Sequence, residues 1–126
     1  GSDDGAADVR LTGSNLEEIH NLQETIELLP GESFRPIDGV KINSNYVVIG
    51  VFADTIARIR VDFYDRRYNT GPFYLMNTLT PLEGSFESYA LYKTRTNTKF
   101  NTIAITNVNQ SNPALVRDLF VIGVME

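Results

Sequence analysis

Hydrophobic and polar positions alternate with a period of two along much of the chain, the period of strands rather than helices. The clearest run is "ARIRVDF", where Ile59, Val61 and Phe63 fall on one side and Arg58, Arg60 and Asp62 on the other. "NTIAITNV" sets Ile103 and Ile105 against Thr102, Ala104 and Thr106. "SFESYALYK" alternates less cleanly, with Phe86, Ala90 and Tyr92 against Tyr89 and Leu91. Two runs do not alternate. "NYVVIGVF" and "LVRDLFVIGVM" are apolar at nearly every position, which predicts central strands covered on both faces. Gly50, inside the first, predicts a bulge or a close backbone approach. "ETIELLPGESF" reads as a strand stopped by the turn pair Pro30-Gly31.

Only "SNLEEIHNL" has helical spacing, with Leu16, Ile19 and Leu22 three apart, Ser14 or Asn15 as cap, and Glu17 and Glu18 near the positive end. At this length it predicts a single turn or an irregular edge strand as readily as a helix. Residues 1–14 show neither period and are expected to form a short, largely irregular, flexible arm, whose Gly1-Ser2 looks like a cloning scar. Residues 15–126 are expected to form one domain. Strands at this spacing, punctuated by Pro, Gly, Asn and Asp, predict an all-β sandwich or barrel. No segment serves as a crossover helix, so a parallel α/β sheet is not expected.

Composition narrows the chemistry. The chain has 126 residues, 42% hydrophobic and 21% charged, which suits one globular domain. Its net charge of −5 opposes nucleic acid and anionic membrane surfaces as partners. No apolar run reaches the roughly 20 residues that a membrane helix needs. Cysteine is absent, which excludes disulfides, thiolate nucleophiles and thiolate zinc sites. His20 is the only histidine and is expected at the surface, so histidine-based catalysis has little to draw on. Asp62 and Asp65 are the nearest carboxylate pair on a plausible surface. The expectation is that the protein is not an enzyme.

Three stretches together resemble a family. "ETIELLPGESF", "ARIRVDFYDRRYNTG" and "FNTIAITNVNQSNPALVRDLFVIGV" follow the order and spacing of jelly-roll carbohydrate-binding modules, the galactose-binding-like β-sandwiches, from about Gln23 to Val124. The resemblance implies an antiparallel β-sandwich of jelly-roll type and lectin-like recognition of a carbohydrate. It implies a secreted, cell-surface or virion setting, such as a phage tail fibre. No cofactor is required. The resemblance allows a structural calcium at Asp118, aided by backbone carbonyls; alternatively Asp118 accepts backbone hydrogen bonds at a strand edge.

A pyranose offers a face of C–H groups and a rim of hydroxyls, so its site needs an exposed ring and in-plane polar groups. Tryptophan is absent, which leaves tyrosine as the platform. Tyr64, Tyr68 and Tyr74 lie among Asp65, Arg66, Arg67 and Asn69. The same residues equally describe a solvated hairpin end with a ring packed over it. A second candidate is an outward sheet face carrying Arg58, Arg60, Asp62, Tyr89 and Thr102, where guanidinium forks suit vicinal hydroxyls or a sugar carboxylate. Cross-strand ion pairing is the plainer account of those charges. The leading expectation is therefore a non-catalytic carbohydrate-recognition module. The alternative is a structural or assembly sandwich, a homo-oligomeric fibre tip or capsid-like subunit.

Overall fold

A computed structural model describes residues 16–22, 24–66, 71–96 and 100–125. The expected arm at residues 1–14 lies outside the described residues. Nine strands are seen among the described residues: β1 (Leu16–Leu22), β2 (Ile26–Leu28), β3 (Ser33–Val40), β4 (Tyr46–Ala53), β5 (Ile59–Arg66), β6 (Tyr74–Leu79), β7 (Tyr89–Arg95), β8 (Phe100–Asn107) and β9 (Ala114–Val124). Every pairing between them is antiparallel. Sheet one runs β1-β9-β4-β7, with β2 also paired to β9, and sheet two runs β3-β8-β5-β6. The molecule is an antiparallel β-sandwich.

The alternation read from the sequence builds the core. Ile59, Val61 and Phe63 of β5 face Val47, Ile49 and Val51 of β4 and Val116, Leu119 and Val121 of β9 across one buried cluster. Each fully buried aliphatic side chain there contributes about 1.5–3 kcal/mol. The Pro30-Gly31 turn forms where expected: Glu32 N–H donates to the Leu29 carbonyl at 2.8 Å, and Gly31 takes φ 81. Proline at the second position and a left-handed glycine at the third describe a type II turn.

Of the alternatives open for Leu16–Leu22 the edge strand is the one observed, because pairing with β9 satisfies its backbone and a lone short helix has no such support. Other expectations change. β3 and β6 were not anticipated. β3 carries Pro36 and Gly39 and is an edge strand whose register shifts twice against β8, which is where proline is tolerated. Phe86 lies outside β7, in a tight turn onto Tyr89, and is 60% exposed rather than core. Gly50 marks a close approach and no bulge: the Phe120 ring fills the space of its absent side chain, 2.1 Å from an ideal Cβ. Finally, β4 and β9 are covered on one face only. Their outward apolar side chains, Val48 and Ile122 among them, stay half-buried, with no layer of the described chain above them.

Candidate functional site

The outer face of sheet two gathers the polar side chains that alternation sent outward. β5 presents Arg60, Asp62, Tyr64 and Arg66 there, opposite in direction to its core residues. Register sets Arg60 beside Thr106, Asp62 beside Ala104 and Thr78, and Tyr64 beside Thr102 and Leu75. Asp62 points outward yet is only 2% exposed, because its neighbours close over it. Arg60 Nε donates to its Oδ2 at 2.8 Å, and Thr78 Oγ1 donates to its Oδ1 at 2.7 Å. A carboxylate held from both sides fixes the guanidinium above it, so Arg60 is half-exposed and oriented at once. Further along the face, the Thr102 hydroxyl accepts from Gly39 N–H at 2.9 Å, and the hydroxyls of Ser33 and Thr106 pair at 2.7 Å.

A cleft of about 420 Å3 opens at one end of this face, lined by Pro30, Gly31, Arg60, Thr106 and the stretch Asn107–Gln110. Its walls are the type II turn and the β8–β9 loop, and both are pinned by Asn107. That side chain is fully buried. Its Nδ2 donates to the Leu28 and Asn112 carbonyls, each at 2.9 Å, and its Oδ1 accepts from Asn109 N–H at 2.9 Å. Asn109 Oδ1 in turn accepts from Ser111 and Asn112 N–H, an Asx turn that holds the loop's shape. Arg60 is the charged side chain of the described lining, with Thr106, Asn109 and Gln110 as uncharged donors and acceptors.

The opposite end of the face carries a ring that sequence reasoning passed over. The Arg66 guanidinium sits 3.6 Å from the Phe73 ring centroid, and that of Arg35 sits 5.7 Å away. Arg35 is also 3.8 Å from Asp38. The Arg66 contact closes the β5–β6 hairpin and the Arg35 contact joins segments far apart in sequence; the one signal available was Phe73 closing a polar hairpin run.

The candidate residues thus divide. Arg60, Asp62, Tyr64 and Thr102 share the face. Tyr74, on the edge strand β6, is 58% exposed but in register with Asp65, so it stands on the other side of sheet two. Tyr68 lies outside the described residues. Arg58 precedes β5, in a 3-10 turn over Ile56–Arg58, and locks the sandwich end by donating from Nη1 to the Pro113 carbonyl at 2.9 Å. Strand β5 starts at Ile59, two residues into the alternating run Ala57–Phe63, so Arg58 never joins the face. Tyr89 belongs to sheet one, where it packs against Phe52 (centroids 4.3 Å apart) and Phe86 (5.5 Å).

One other expectation meets geometry that opposes it. Asp62 and Asp65 lie three apart on one regular strand and so point to opposite faces of sheet two; they do not form a facing carboxylate pair. Burial raises the Asp65 carboxyl above its ordinary value, partly offset by a backbone hydrogen bond from Arg66. Asp118 is exposed on the central strand β9, and its Oδ1 accepts the N–H of Leu119 at 2.9 Å. No group of three or more His, Cys, Asp or Glu side chains among the described residues could hold a metal ion. His20 is half-buried on β1, and its Nε2 finds no hydrogen-bond partner among the described residues.

Compared with known proteins, the chain matches no family model and no curated protein sequence.

Proposed function

We propose that this chain is a non-catalytic recognition module that binds a carbohydrate on the outer face of sheet two. One observation carries the reading: the Arg60–Asp62–Thr78 array is held rigid at the mouth of a cleft of about 420 Å3. A guanidinium fixed in orientation offers in-plane donors to vicinal hydroxyls or to a sugar carboxylate. Tyr64, half-buried in the same face, supplies a ring for the C–H side of a pyranose. A preformed site loses little entropy on binding. The strand order β1-β9-β4-β7 over β3-β8-β5-β6 supports a jelly-roll reading, since each sheet interleaves strands from both halves of the chain. Single sugar sites are weak and gain from repetition, which suits a secreted, cell-surface or virion protein that displays several copies.

The test is a glycan array spanning neutral and acidic sugars, followed by calorimetry on any hit. Arg60→Lys keeps the charge and loses the fork; it is expected to weaken binding about tenfold with the thermal midpoint unchanged. Tyr64→Ala is expected to weaken it at least as much. Silence across the array, or affinity indifferent to both changes, would remove the proposal. The alternative reading, a structural or assembly sandwich, is favoured by a different observation: the apolar outer face of sheet one.

A further inference from the structure

Sheet one turns an apolar face away from the core. Val48, Leu91, Phe120 and Ile122 occupy its centre on β4, β7 and β9, all half-buried, and Phe52 at one end is 38% exposed. Sandwich faces turned to water normally alternate to polar side chains. Here β4 and the Leu119–Val124 part of β9 stay apolar on both sides, with Asp118 beside Phe52 at the face's end. The Phe120 ring lies over Gly50 in the space a Cβ would take, so it covers the strand instead of standing up from it. Contiguous apolar surface of this kind marks an interaction site.

The charges at the margins say what covers it. Glu18 stands exposed at the β1 edge, in register with Ile122, and Ile122 is in register with Val48 and through it with Lys93 at the β7 edge. One transverse row thus reads acid, apolar, apolar, base. Three strand spacings, about 14 Å, separate its ends, too far for Glu18 and Lys93 to pair within one chain. We infer that a second copy of this chain covers the face, related by a two-fold axis parallel to the strands. Rotation about that axis lays the β1 edge of each copy over the β7 edge of the other. Glu18 of each copy then meets Lys93 of the other, twice over, and Ile122 meets Val48 between them. An axis perpendicular to the strands would instead set acidic edge on acidic edge and basic on basic. The face is four strands wide and about seven residues long, about 400 Å2 in projection. That is small beside the roughly 800 Å2 per partner of a standard interface, so the association is concentration-dependent, not permanent. This inference uses the sheet opposite the proposed sugar site and stands whether or not a glycan binds.

Sedimentation velocity from about 1 to about 300 µM tests it, at low and at high salt. The expected result is a rise from one chain to two. Glu18→Lys and Lys93→Glu should each raise the dissociation constant about tenfold, and the double variant should return it to within about threefold of the starting protein. Both changes are at exposed positions, so folding is not at stake. Ile122→Asp should keep the chain monomeric throughout. A monomer over the whole range, or a dimer in which the double variant does not restore the single losses, would overturn the inference.

Discussion

Asn107 shows how much one side chain can organise. It is buried without a water-facing atom, and its amide joins β2, the β8–β9 loop and the floor of the cleft. Asn107→Ala strands two carbonyls and one N–H at once, and each unmet group costs about 1–3 kcal/mol. A loss of about 2–5 kcal/mol in urea unfolding is expected, together with disordering of the cleft wall. Asp65 acts in the opposite sense. Its buried Oδ1 has no hydrogen-bond partner among the described residues, and desolvation lifts its folded-state pKa above the ordinary 3.8. The folded chain therefore holds that proton to higher pH than the unfolded chain does. Stability falls as pH rises from about 3.8 through the raised value, and the cost persists at neutral pH. Asp65→Asn should be more stable than the parent at pH 7, and the gap should close on acidification through that window in paired thermal melts. A gap independent of pH would refute this assignment.

Edge and centre behave differently at the level of the strand. β8 is buried along nearly all its length, whereas β6 is exposed at every residue before Leu79. Its free edge carries Tyr74, Leu75 and Met76, each about half-exposed. A groove of about 380 Å3 beside it, lined by Phe63, Met76, Asn77 and the β7 residues Lys93–Arg95, separates it from sheet one. Amide exchange in β6 should run far ahead of β8, and Leu75→Lys should change stability by less than about 0.5 kcal/mol while lowering aggregation on heating. This division also explains what the sequence made legible. β4, β5, β8 and β9 announce themselves because the core imposes a period of two or a continuous apolar run. β1, β3 and β6 are all edge strands with one neighbour to satisfy, so their composition is loosely constrained; Pro36 survives in one and helical spacing in another. The site divides the same way. Arg60 and Asp62 share a face because alternation requires it, and Arg58 is lost because the strand begins only at Ile59. Phe73 was hard to single out, since Arg66 sits on the same hairpin but Arg35 lies on β3, which only the pairing of sheet two brings close.

For the molecule as a whole, β9 is the organising strand. It pairs with β1 and β2 from the beginning of the described chain and with β4 near its middle, so sheet one cannot close until the last strand arrives. Long-range pairing of this sort makes folding slow, in the range of milliseconds to seconds for a sandwich of this size. Stopped-flow refolding faster than about 100 µs would contradict that topology. The same pairing sets Leu16 beside Val124 in neighbouring strands, at the end of the sandwich away from the Pro30-Gly31 turn and the Asn107–Gln110 cleft wall. A short linker could therefore join those two positions and move the chain's opening to another loop without breaking a ladder. A tether fused at either point would leave the cleft looking outward, so that chains anchored side by side would present their Arg60 residues in a common plane.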